Sequence, residues 1–282
     1  MATVQGITYR YAPNLRTSVS GTSFAYRDLG PRGGTPLVLL NHLAATLDNF
    51  DPAIVDRLAA HRRVVAFDNR GIGASAGRTP TTVRDMARDA IGFIRAMGFE
   101  TVDLLGFSLG GFVAQEFVLT EPTLVRRLIL AGTGPAGGIG IDKVTGVTIA
   151  AMLRAAFTRK DPKFYLFFTR TPAGRSAANA FLSRLKARDQ GRDDPIRTAA
   201  FRAQLKAIRT WGRQAPQDLS QIRLPTFVAN GDQDAMVPTS NSVDLARRIP
   251  DSRLTIYEDA GHGGIFQNHA AFVEQALAFL DE

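Results

Sequence analysis

The chain has 282 residues, 45% of them apolar, and 34 Lys and Arg against 26 Asp and Glu give a formal net charge of +8; it has no cysteine. That length and apolar content suit one large α/β domain with a subdomain and exclude a disordered chain, and the missing cysteines exclude disulfides and thiolate metal sites. Residues 1–10 show no signal-peptide core, and no stretch approaches about 20 uninterrupted apolar residues, so a soluble cytoplasmic protein without integral membrane association is expected.

Short apolar or alternating runs predict strands near 7–11, 23–29, 37–41, 63–67, 102–106, 126–131, 225–230 and 253–258. Helical spacing predicts helices near 50–60, 81–97, 109–120, 239–249 and 267–281. The clearest is 81–97, where Val83, Met86, Ala87, Ala90, Ile94 and Met97 share a face and Thr81 or Thr82, after Pro80, supplies an N-cap. Strands alternating with helices mean a mostly parallel, eight-stranded sheet with helices on both faces. Ligands then bind at the C-terminal ends of the strands.

The alternation stops between Ala131 and Pro225. A glycine-rich stretch from Gly132 to Gly140 leads into four helical segments, about 142–157, 161–169, 173–189 and 196–212. This part is also the basic one: residues 134–214 hold 16 Lys and Arg against 5 Asp, a net +11, while the rest of the chain nets −3. Such a bias either attracts anionic substrates to an entrance or coats a solvated helical surface. No nucleic-acid motif accompanies it, so no nucleic-acid partner is expected.

The densest chemical signal is Gly106-Phe107-Ser108-Leu109-Gly110, between the apolar run Val102 to Leu105 and the helical spacing of Leu109 to Thr120. A serine on a strand-to-helix turn, with glycine two residues before and two after, is a nucleophile elbow. The glycines let strand and helix approach closely, and the helix N-terminus offers free N–H groups to an oxyanion. A serine needs a base and the base an orienter. Of His42, His61, His262 and His269, only His262 sits in a flexible setting at a strand end, Gly261-His262-Gly263 after the strand at 253–258. Between the serine and this histidine, the strand from Pro225 runs into Gly231-Asp232-Gln233-Asp234, so the chain order is Ser, Asp, His. Gly71 and Gly73 do not complete a phosphate-binding pattern, and no His or Cys cluster has metal-ligand spacing.

Asn41-His42-Leu43, Asp68-Asn69-Arg70-Gly71-Ile72-Gly73-Ala74-Ser75, the elbow, Gly231-Asp232-Gln233-Asp234 with Val237-Pro238, and Gly261-His262-Gly263 together resemble the α/β-hydrolase superfamily, from about Thr22 to Leu280. The likeness is to the branch of small esterases, cofactor-free haloperoxidase-like enzymes and enol-lactone hydrolases. It implies an α/β-hydrolase core at 1–133 and 215–282 with an inserted helical cap at 134–214. It implies catalysis by Ser108, Asp234 and His262, with Asp232 a turn residue, and an oxyanion hole of the Leu43 and Leu109 backbone N–H groups. Serine rather than aspartate at 108 argues against the haloalkane dehalogenases and epoxide hydrolases. The Asp68 to Ser75 turn is mainly scaffold in the family. One departure is His42, where glycine is usual; the Asn-Ser-Leu-Gly loop of enol-lactone hydrolases is the better match. His42 with Phe157, Phe164 and Phe181 of the cap are the expected substrate-binding residues, although apolar cap residues often only pack on one another. The activity implied is cleavage of a small or medium-sized carboxylic ester, with no metal and no cofactor. The alternatives are a lactonase or perhydrolase on the same triad, or a non-catalytic ligand receptor on the same fold.

Overall fold

Residues 8–282 are described by a computed structural model. The strands are β1 (Leu15–Val19), β2 (Thr22–Leu29), β3 (Leu37–Leu40), β4 (Val64–Phe67), β5 (Val102–Phe107), β6 (Val125–Ala131), β7 (Thr226–Gly231) and β8 (Ser252–Tyr257). Runs such as Leu37-Val38-Leu39-Leu40 and Val64-Val65-Ala66-Phe67 are apolar at every position because both faces of the strand are buried. The eight strands form one sheet in the order β1-β2-β4-β3-β5-β6-β7-β8. Pairing is parallel from β4 through β8 and antiparallel where β2 meets β1 and β4.

The strand expected at 7–11 is absent over its described part. Thr8 to Tyr11 form a turn, in which the Tyr11 and Ala12 amides donate to the Thr8 carbonyl at 2.9 and 3.0 Å. The alternation there reflects a single anchor: Tyr9 is buried, donates its hydroxyl to the Leu47 carbonyl (2.6 Å) and lies under the Arg27 guanidinium. The first strand is Leu15–Val19 instead. It turns into β2 through Ser20 and Gly21, both at positive φ (47° and 82°), the two-residue turn whose twist suits a hairpin.

Helices α1 (Pro52–Ala59) and α10 (His269–Asp281) pack together, as do α2 (Val83–Ala96) and α3 (Leu109–Thr120). On α2 the Thr82 hydroxyl accepts the Asp85 amide, and the face with Met86, Ala90, Phe93 and Ile94 is buried. The Phe93 ring stacks on Phe67 at 4.3 Å between centroids. Helix α8 (Ser240–Arg248) packs on β7 and β8. The single turn α9 (Gly264–Gln267) precedes α10.

Between β6 and β7 come α4 (Val144–Thr158), α5 (Lys163–Leu166), α6 (Pro172–Lys186) and α7 (Thr198–Arg213). The second of these is one turn rather than the longer helix expected at 161–169. Side chains from this stretch grip the sheet-bearing part directly. Arg184 makes a two-pronged pair with Asp51 (2.8 and 2.6 Å), and Arg188 donates to the carbonyls of Arg10 and Ala12 (2.8 and 2.9 Å). Among the described residues no helix is long and apolar enough to cross a membrane.

Phe93 lies fully buried against both Phe67 and Phe24. Phe93→Ala should therefore lower stability by about 3–5 kcal/mol. The check is urea unfolding, with a lower midpoint and an unchanged slope.

Candidate active site

Ser108 leaves β5 and enters α3 at φ 56° and ψ −118°, a conformation that costs a non-glycine residue about 1–3 kcal/mol. The glycines around it are steric necessities. A Cβ on Gly110 would run into the Leu40 carbonyl, and one on Gly106 into the backbone of Gly110 and Gly111. The turn is held from outside: the Ser108 amide donates to the Ala131 carbonyl and the Thr133 hydroxyl to the Ser108 carbonyl, both at 2.9 Å.

His262 is buried on the loop after β8, and its Nε2 stands 2.9 Å from Ser108 Oγ. Its Nδ1 stands 2.8 Å from Asp234 Oδ2. A carboxylate can only accept, so Nδ1 carries the proton and Nε2 is left to accept from the serine hydroxyl. The other oxygen of Asp234 accepts the amides of Met236 and Val237 at 2.8 and 2.9 Å, which fixes the carboxylate plane. Asp232 is exposed and accepts the Ala260 amide at 3.0 Å, tying the β7 turn to the loop that carries His262.

The serine and histidine open into a cavity of about 610 Å³ beneath α4, α5 and α7. Its wall is apolar for the most part, with Leu43, Leu166, Phe167, Phe201, Leu205 and Met236; Lys163 and Arg202 add positive charge. The amides of Leu43 and Leu109 have no hydrogen-bond partner among the described residues. Beside Leu43, Ala44 sits at φ 59° and donates its amide to Gln204 Oε1 of α7 at 2.9 Å. Nothing in the sequence pattern singles out Gln204, a glutamine on a helix face.

His42 lines the cavity. Its Nδ1 donates to the Leu43 carbonyl (2.8 Å) and its ring meets Phe107 and Phe167 edge to face. Burial, with nearby Lys163, pushes its pKa down to about 3, so the ring is neutral. The three phenylalanines expected beside it are elsewhere. Phe157 is 89% exposed on the outer side of α4. Phe164 is buried under Lys160 and against Tyr165, and Phe181 is buried in a stack with Phe266. Among the described residues the phenylalanine rings on the cavity wall are Phe167 and Phe201. Helical spacing marks the apolar positions but cannot say which of them face a cavity rather than a neighbouring helix.

The Asp68 to Ser75 turn braces the loop before α1. Asp68 Oδ1 accepts the Leu47 amide (2.8 Å), and Arg70 pairs with Asp89 of α2 (2.8 Å). Asp68 and Asp193 crowd the spot where a Gly73 Cβ would stand, and among the described residues Asp68 Oδ2 has no hydrogen-bond partner. Burial and the facing Asp193 raise the Asp68 carboxyl well above the usual carboxylate range. Among the described residues no three His, Cys, Asp or Glu side chains gather as a metal-ligand group.

The chain belongs to the alpha/beta hydrolase fold family, whose model matches residues 35–269. An alpha/beta hydrolase fold protein from Chitinophaga pinensis superposes with a TM-score of 0.93 at 38% identity, covering 98% of this chain and all of the other. The chain is 30% identical to RutD of Azorhizobium caulinodans, named as a carbamate hydrolase, over 88% of this chain and 92% of that one. It is 27% identical to a non-heme chloroperoxidase of Streptomyces lividans over 94% and 98%.

The raised affinity of the folded-state Asp68 carboxyl for a proton sets a pH dependence. The folded state holds it more tightly than the unfolded chain, whose aspartates titrate near pH 4, so unfolding releases it. Stability should fall as pH rises from about 4 through the raised Asp68 value. Asp68→Asn should flatten that decline and gain most at the alkaline end, read by urea unfolding from about pH 4 to about pH 8. An unchanged slope would place the proton elsewhere.

Proposed function

We propose that the protein is a serine hydrolase that cleaves a carboxylic ester of a small or medium-sized substrate, without metal or cofactor. The observation that carries this is the unbroken chain Ser108 Oγ to His262 to Asp234, at 2.9 and 2.8 Å, opening into an apolar cavity. His262 Nε2 takes the serine proton as Oγ attacks the ester carbonyl. The Leu43 and Leu109 amides receive the developing oxyanion. Asp234, its plane fixed by two backbone amides, orients His262 and stabilises the imidazolium. His262 then hands its proton to the leaving alcohol. A water molecule, deprotonated in turn by His262, releases the acid and restores the serine.

Residues 134–214 act as the cap that admits substrate to this site. A lactone is an intramolecular ester and passes through the same steps, so lactones belong in the first substrate panel. A perhydrolase would use peroxide as the second acceptor on the same acyl-enzyme. A receptor would capture ligand once without turnover.

A fluorophosphonate probe should label wild-type protein once, by intact mass, and leave Ser108→Ala unlabelled. Labelling that persists in the variant would remove Ser108 as the nucleophile. Asp234→Asn should cost about 10⁴ in kcat on a short acyl ester, whereas Asp232→Asn should cost far less. Equal losses in two folded variants would show that the acid is misassigned.

A further inference from the structure

Helix α4 turns toward solvent a face that a solvated helix would make polar. Ile149, Met152, Leu153 and Phe157 are 49, 44, 60 and 89% exposed. The exposed Gly146, Ala150 and Ala156 extend the same apolar surface, and no charged residue interrupts the helix before Arg154. Scattered exposed hydrophobes are ordinary, but a row of them on one helix marks a contact surface. Two of the row, Ile149 and Met152, also line the cavity with Ser108 and His262, so this face runs into the cavity mouth.

Cations frame it. Lys143 lies at the start of α4, and Arg154, Arg159 and Lys160 lie at its end; all four are exposed. Arg154 sits over the Tyr165 ring and Lys160 over Phe164. The single acid between 143 and 163 is Asp161, which is paired with Lys163 at 3.5 Å.

We propose that the α4 face seats the protein on an anionic lipid–water interface, with the cavity mouth turned toward the lipid. The apolar row enters the boundary between headgroups and acyl chains while the flanking cations meet the headgroup phosphates. An apolar substrate dissolved in that layer then reaches the cavity past Ile149 and Met152. A second copy of the chain is the competing occupant, but it would bring together two segments of net charge +11 each, which repel. The docking does not depend on which bond the site cleaves.

The test is sedimentation of the full chain with phosphatidylcholine vesicles, with and without phosphatidylglycerol. Binding should require phosphatidylglycerol and weaken as salt rises. Leu153→Ser with Phe157→Ser should lower binding about tenfold or more. Arg154→Gln with Arg159→Gln and Lys160→Gln should lower it on the order of a hundredfold, since each cation near such a surface is worth about fivefold. Both variants should fold cooperatively with the wild-type circular dichroism spectrum, and turnover of a short water-soluble ester should not change. If no ester is turned over, the proposed chemistry fails while the vesicle result still decides the docking. No binding to phosphatidylglycerol vesicles, or equal binding by both variants, would overturn the proposal. So would sedimentation equilibrium showing a dimer that Leu153→Ser with Phe157→Ser dissociates.

Discussion

At Ser108 the chain passes from β5 to α3 with a backbone conformation that side-chain-bearing residues avoid, and the neighbouring elements hold it there. The close approach of α3 to β3 makes this possible. Hydrogen at Gly110 lets the helix start against the Leu40 carbonyl, and hydrogen at Gly106 lets the strand lie against the helix. The strain is balanced by packing on every side: α3 is buried from Leu109 to Val118, and β6 clamps the turn through Ala131 and Thr133. Loosening any of these contacts would move the serine hydroxyl away from His262.

The histidine and aspartate depend on a second set of backbone clamps. The β7 turn gives Asp234 two amides and leaves one oxygen for the imidazole, and Asp232 pins the adjoining loop through Ala260. On the other side, the Phe167 carbonyl accepts the Gly263 amide at 2.7 Å, so the loop of His262 is also tied to the segment after α5. Phe107 and Phe167 pack on the imidazole, with ring centroids 5.0 and 5.5 Å away.

The loop from Asn41 to Phe50 is the meeting point of the sheet and the four inserted helices. Asn41 donates to the Thr46 carbonyl within the loop, Gln204 holds Ala44 from α7, and Asp193 donates its amide to Asp48. The shape of this loop, and with it the direction of the Leu43 amide, is thus decided jointly by residues more than a hundred positions apart. In this setting His42 fits where a glycine is usual in the family: its ring turns into the aromatic cluster and its Nδ1 is satisfied by the next carbonyl.

Local chemistry by itself determined a good deal. The glycine spacing at 106–110, the fully apolar strands and the one-sided pattern of α2 each follow from constraints within a few residues, so strand order in the chain, helix positions and the serine turn were legible. Three features were not. The hairpin at Ser20-Gly21 carries no Asn-Gly or Asp-Gly pair, and the alternation at 7–11 belongs to the buried Tyr9 and not to a strand. The cavity-facing members of the inserted helices depend on how four helices tilt against one another, so Phe157 points to solvent, Phe181 into a stack and Phe167 to the site. The pairings of Asp68 with Asp193 and of Gln204 with Ala44 join distant segments whose encounter no local pattern encodes. Periodicity says that a side chain is buried; only the packed structure decides against what.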